Sequence, residues 1–441
     1  MKYFLVCSIV FSLLFTSCKT TNPDFQQDVA NPELIHNTVQ KLTDVIVHDI
    51  FSPPVASRIY AYPSIAAYEC MVPGVEGYQS LAGQLKGFTA GPKPEDGKEY
   101  AYPVAALHAY AQIGKALIFS EAKIEAYQKE METTFGNINM PQDVYDRSMA
   151  YGQAMADHIL EWADKDMYKQ TRTYPKYSIP EDLDKWRPTP PDYMDGIEPH
   201  WNKIRTMVLD SAQQFPPLPP TAFSLDPKSK FMAEVKEVYE VVKNATEEEL
   251  AIAQFWDCNP YVSHHKGHVM FATKKITPGG HWMGITKIAS QNTNADFMKT
   301  IETYARVSIS LFDAFISCWD EKYRSSLLRP ETVINSTIDE DWLPLLQTPP
   351  FPEHTSGHSV ISTAAATALT KLYGDNFSFV DSTEVAYGLP PRSFKSFEDA
   401  CMEAAVSRLY GGIHYRPAID YGVDQGRKVG ELIVQRVVTK K

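Results

Sequence analysis

The chain has 441 residues, 44% of them hydrophobic and 22% charged, an ordinary globular balance able to bury a large core. Its formal net charge of -12 argues against a nucleic-acid surface and makes any local cluster of cations informative. Length alone allows about three domains or one large helical body.

Near the N-terminus, Lys2 precedes a mostly apolar run over residues 4–15, followed by Thr16-Ser17-Cys18. The run is too short to span a bilayer and reads as a secretory h-region, with residues 1–17 a signal peptide. Small residues before a cysteine resemble a bacterial lipoprotein cleavage box. Cys18 would then be the lipidated first residue of the mature chain, and residues 18–30 a polar tether. Plain signal cleavage is the alternative. No later run approaches the roughly 18 apolar residues of a membrane span, so membrane contact is expected only through this anchor. The expected location is exported, facing the periplasm or the cell exterior.

An N-terminal helical region is expected over residues 31–228. Apolar residues at three- to four-residue spacing predict helices near 32–50, 54–68, 103–119 and 122–134, and another behind Pro141. No alternating strand series stands out, and the aromatic residues on these faces read as core. Between Tyr174 and Pro227 proline is dense, including Pro188, Pro190-Pro191, Pro216-Pro217 and Pro219-Pro220. Such segments cannot be helix interiors and predict ordered loops wrapped on a helical body. His264 and His268 have a spacing that would chelate zinc on a helix, but Lys266 and Gly267 favour a polar loop. Cys70, Cys258, Cys318 and Cys401 form no C-x-x-C pair and read as buried thiols, although export would permit pairing.

A second region, 229–438, carries the chemistry. Asn294 is expected to cap a helix whose apolar face runs from Met298 to Trp319. Lys322 falls on the next turn of that face. Arg329 follows two turns on if the helix continues, with Pro330 ending it. A proline-rigid loop, Pro349-Pro350-Phe351-Pro352-Glu353-His354-Thr355-Ser356-Gly357-His358, then opens a helix near 360–373. Ser356 reads as an N-cap, and with Gly357 it also offers a hydroxyl and an open amide to an anion at a helix N-terminus. Two last helices are expected near 396–410 and 417–438, with Gly411-Gly412 stopping the first. Arg408 then lies in a last turn and His414 in the connector. Three cations, a hydroxyl, a glycine amide and two histidines are what a tetrahedral or trigonal-bipyramidal oxyanion requires.

The ordered blocks Lys322…Arg329-Pro330, Ser356-Gly357-His358 and Ser407-Arg408…His414 resemble the signature shared by type 2 phosphatidic acid phosphatases and vanadium-dependent haloperoxidases. Phe255-Trp256-Asp257 and Pro278-Gly279-Gly280-His281-Trp282 resemble bacterial relatives of the haloperoxidases outside those blocks. Thr355 stands where the signature has proline. Ala418 stands where it has an acid, so Asp420, two residues later, is expected to orient His414.

The resemblance implies an all-α fold of packed helical bundles. It implies that Lys322, Arg329 and Arg408 neutralise the equatorial oxygens of the anion, with Ser356 and the Gly357 N–H completing the cage. His414 would be the axial ligand of vanadate or the nucleophile to phosphorus, and His358 the general acid–base. Trp319, Phe351 and His354 would line the pocket. The expected activity is vanadate-dependent oxidation of halide by hydrogen peroxide, with phosphate competing for the same cage. An exported acid phosphatase working through a phosphohistidine and a non-catalytic oxyanion-binding lipoprotein are the alternatives.

Overall fold

The computed structural model describes residues 21–266 and 269–441. The signal peptide, Cys18 and His268 lie outside the described residues, as do the side chains of residues 264–272. Part of the 18–30 span expected as a tether is helical. Phe25–Val29 is a helical turn whose two end residues, Phe25 and Val29, are buried in the core.

Helices begin where a capping side chain meets a proline. Asn31 accepts from Glu33 N ahead of Pro32–His48, Ser52 from Val55 N ahead of Pro53–Met71, and Thr277 from Gly280 N ahead of Pro278–Asn292. Thr246 and Glu249 form a capping box at the start of Glu247–Phe255. Tyr102–Ala116, Glu121–Ile138 and Gln142–Ala163 complete the N-terminal helices.

One helix organises the rest. Phe297–Ser325 is buried along nearly its whole length and packs against Pro53–Met71, Pro278–Asn292, Gly357–Tyr373 and Arg416–Arg436. Its cap is Asp296, whose side chain accepts from Lys299 N, rather than Asn294. Asn294 occupies the left-handed turn before it, at φ 49°, a conformation asparagine tolerates better than most residues.

The proline-rich stretch does wrap this body as irregular chain, anchored by buried polar contacts. Asp313, in the middle of the central helix, accepts from the amides of Met207, Val208 and Leu209. Burial pushes its carboxyl up to about 6, against the pull of those three bonds. Trp186 and Trp201 on the same stretch are fully buried.

Two small antiparallel ladders depart from the all-helical expectation: Ser263–Lys266 with Val269–Ala272, and Phe379–Asp381 with Arg392–Phe394. His264 and His265 therefore lie on a strand, not a helix. The principal apolar core runs without a break from Phe25 to Val437, across the boundary at residue 228. Residues near the C-terminus pair with the N-terminal half through the Tyr78–Lys440 bridge and a Gln79 N–Thr439 O bond. No helix among the described residues is long and apolar enough to cross a membrane.

Candidate active site

The central helix ends at Ser326, in the left-handed conformation at φ 50°. Arg329 therefore does not extend that helix; it sits in extended backbone as the residue before Pro330–Thr337, and Pro330 starts that helix rather than ending one. The turn is held from outside: Ser326 O accepts from Trp186 N, and Leu328 N donates to Asp184 O. Lys322 and Arg329 still converge, because the chain folds back between them.

All three protons of the Lys322 ammonium go to backbone carbonyls of the rigid loop: Pro352 O at 3.0 Å, Glu353 O at 3.1 Å and Thr355 O at 2.6 Å. Lys322 thus shapes the loop and supplies charge at short range; bonding an anion directly would require exchanging one of these partners. Arg329 Nε donates to Phe351 O and Nη1 to Ile413 O, while Nη2 is buried without a partner. Arg408 Nε donates to Ser407 Oγ, and its Nη2 to Trp256 O at 2.8 Å. Phe351 lies under both inner cations, with Lys322 Nζ and Arg329 Cζ each 5.1 Å from its ring centre, and tilts against Trp319 at 4.9 Å.

Ser356 caps Gly357–Tyr373 through a bond from Ser359 N, so the ordinary capping role and the site position coincide. A side chain at Gly357 would meet only Trp319 Cζ3, at 3.8 Å. Packing does not demand glycine there; its absent side chain leaves space in the cavity. Trp319, Phe351, Gly357, His358, Arg408 and His414 face that narrow cavity together. His358 is half-buried, but its Nε2 is sealed and has no partner. Burial, then the Arg408 charge, holds its pKa well below the usual histidine value.

His414 is oriented by an acid, though not the expected one. Its Nδ1 lies 2.9 Å from Glu353 Oε1, which also accepts from Tyr415 N. With the Nδ1 proton given to Glu353, the lone pair sits on Nε2, 3.1 Å from Arg329 Nη1. Burial, reinforced by Arg329, Lys322 and Arg408, holds the ring neutral by pushing its pKa well down. Asp420 is exposed, on the solvent side of Arg416–Arg436, opposite buried Ala418, Gly422 and Gly426. Ala418 is itself fixed by packing: it is buried, and its carbonyl accepts from Ser356 N. A carboxylate at 418 would have to fit inside that helix contact.

His354 is a second correction. It is buried, but its Nε2 contacts Leu218 O at 3.0 Å, on the proline-rich loop, and it is not among the cavity walls. Thr355, standing in place of proline, uses its hydroxyl to reach Gln425 at 2.7 Å. Glu353 was the functional residue that sequence reasoning passed over. Its only sequence signal is a carboxylate inside the rigid loop that joins the Arg329 and Ser356 blocks.

A larger cleft, about 570 Å³, opens elsewhere, between Pro32–His48 and Pro278–Asn292. It is lined by no arginine and by His36 alone among histidines, so chemistry rather than volume identifies the site.

The profile of the VCPO second helical-bundle domain matches residues 302–440. No curated protein matches the chain. Among solved structures, the first bacterial vanadium-dependent iodoperoxidase is 54% identical, with a TM-score of 0.88, covering 93% of this chain and 97% of that one. A holo-type bacterial vanadium-dependent chloroperoxidase shares the fold at 17% identity and a TM-score of 0.69, covering 88% of this chain and 93% of that one. With more than half of its residues identical to the iodoperoxidase over nearly the full length of both, this chain belongs to the vanadium-dependent haloperoxidases.

Proposed function

We propose that the chain is a vanadate-dependent enzyme that oxidises iodide with hydrogen peroxide. The observation that carries this is His414: a neutral imidazole, locked by Glu353, with its Nε2 lone pair beside a guanidinium that has a spare buried donor. Such a donor set fits an anion that also needs one nitrogen ligand. Arg329 Nη2, Arg408 and the Gly357 N–H would hold the oxygens of vanadate, His414 would bind its central atom, and Lys322 would add positive charge from behind the loop. Bound there, vanadate supplies a Lewis-acidic centre that activates peroxide toward two-electron oxidation of a halide, giving hypohalous acid and water. The net step consumes one proton per halide oxidised, and His358 passes that proton in at its unpartnered Nε2. Trp319 and Phe351 narrow the cavity, which favours peroxide and halide over a bulky ester.

Iodide is chosen because the 54% identical relative is an iodoperoxidase, whereas the chloroperoxidase is 17% identical. Parallel assays with iodide, bromide and chloride test the choice. Turnover with iodide well above chloride is expected; equal chloride turnover overturns it. The Thr16-Ser17-Cys18 sequence supports export and lipid anchoring at Cys18. Expressed in a bacterial host, the protein should fractionate with membranes and Cys18→Ser should release it; equal fractionation of both forms overturns the anchor.

A further inference from the structure

A second cluster lies in the wall between the active cavity and the 570 Å³ cleft, built from two stretches noted in the sequence. Cys258 follows Phe255-Trp256-Asp257, and His281 lies in Pro278-Gly279-Gly280-His281-Trp282. Cys258 Sγ is 3.5 Å from His281 Nδ1, which is 3.1 Å from Glu384 Oε1; that oxygen is 4.0 Å from the sulfur. All three residues are buried. A tetrahedral zinc ion with ordinary bond lengths would separate sulfur from nitrogen by about 3.6 Å, nitrogen from oxygen by about 3.4 Å and sulfur from oxygen by about 3.6 Å. The side chains need to move by only a few tenths of an ångström.

The surroundings complete the pattern. His281 Nε2 lies 2.7 Å from Asp381 Oδ2, the carboxylate–histidine pairing that turns Nδ1 toward Cys258 and Glu384, where a metal would replace its contacts with them. Thr383 donates to the other Asp381 oxygen at 2.7 Å, and Trp256 stacks on the imidazole at 4.5 Å. Cys258 lines the active cavity, and Thr383, beside Asp381, lines the larger cleft. The chemistry is selective, since a thiolate, an imidazole and one carboxylate suit a borderline-soft dication and not calcium or magnesium.

We propose that Cys258, His281 and Glu384 form a binding site for a zinc-class divalent cation, separate from the anion site, with Asp381 orienting His281. The site ties the segment after Glu247–Phe255 to the turn after Phe379–Asp381, and that segment contributes Trp256 O, which holds Arg408 at 2.8 Å. A three-residue site leaves a fourth position for water.

Cobalt(II) serves as the probe on full-length protein stripped with chelator and kept reduced. One equivalent should give a thiolate-to-cobalt charge-transfer band and tetrahedral d–d bands, displaced by zinc. Cys258→Ser should lose the charge-transfer band, and Asp381→Asn should weaken cobalt affinity by about 10- to 100-fold. X-ray absorption on zinc-loaded wild type guards against variants that fail to fold. It should find one sulfur at about 2.3 Å among nitrogen and oxygen neighbours. No charge-transfer band in wild type, a band that survives Cys258→Ser, or zinc without a sulfur neighbour would each overturn the site.

Discussion

Glu353 and His414 are 61 positions apart, yet the bond between them decides which nitrogen of the ring is available. If Glu353 sets the tautomer, Glu353→Ala should weaken vanadate binding by about 10- to 100-fold. Glu353→Gln should cost less, because its amide oxygen still accepts the Nδ1 proton, and Asp420→Ala should change nothing. Isothermal titration of vanadate separates these, and an Asp420 variant weaker than the Glu353 variants would reverse the assignment. For Arg329→Ala, loss of a charge-assisted donor should cost about 1.5–3 kcal/mol of anion affinity.

The same residues make anion binding depend on pH. Burial, with Arg329 adding to it, pulls Lys322 down to about 7, and burial pushes Glu353 up to about 7. A bound anion favours the protonated form of both groups. Raising pH through 7 removes a positive charge from one and adds a negative charge at the other, so affinity should fall. Sulfate is the right probe, since its own charge is constant over this range. Its affinity should drop by up to about tenfold per pH unit for each proton coupled to binding. A flat profile from pH 6 to 9 would mean that neither group titrates there.

At the scale of elements, most helices were legible because caps, prolines and apolar stripes are local signals. The observed Pro32–His48 and Phe397–Tyr410 lie close to the spans read from spacing alone. What periodicity could not show was the break at Ser326, where a left-handed residue and the Trp186 contact end the helix at Ser325, four residues short of Arg329; Arg329 reaches the site by chain reversal. Nor could it show that an acid from the loop, rather than from the following helix, would face His414.

Helix contact supplies a test of its own. Gly422, Gly426 and Gly430 recur every fourth residue along Arg416–Arg436, facing Gly357–Tyr373. A side chain at 426 would lie 2.2 Å from Val360 O, so backbone rather than a movable side chain blocks it. Gly426→Ala should destabilise by about 1–3 kcal/mol and, by pushing the His358 helix away, weaken vanadate binding as well. Gly136, exposed in Glu121–Ile138 with nothing within 4 Å of a new side chain, should respond oppositely. There Gly136→Ala should stabilise by about 0.5–1 kcal/mol. Chemical denaturation of both variants checks the signs.

On the scale of the whole molecule, one core links the N-terminal helices to the site. The central helix buries both its faces, and the proline-rich loop closes over it through Asp313 and two tryptophans. The three cations, Gly357 and the two histidines could be read from the sequence because their spacing is ordered along the chain. The loop contacts that complete the site, from Glu353 and Ile413 to Trp256, depend on tertiary packing and left only weak local signals. This assembly should be a catalyst only when vanadate occupies it. The most direct measurement is iodide oxidation by hydrogen peroxide on vanadate-free protein, titrated with orthovanadate, beside hydrolysis of a small aryl phosphate on the same preparation. Iodide oxidation should rise from background to saturation with vanadate, fall when phosphate is added, and be lost in His414→Ala. Efficient phosphate-ester hydrolysis with no iodide oxidation at saturating vanadate would make the protein a phosphatase and not a peroxidase.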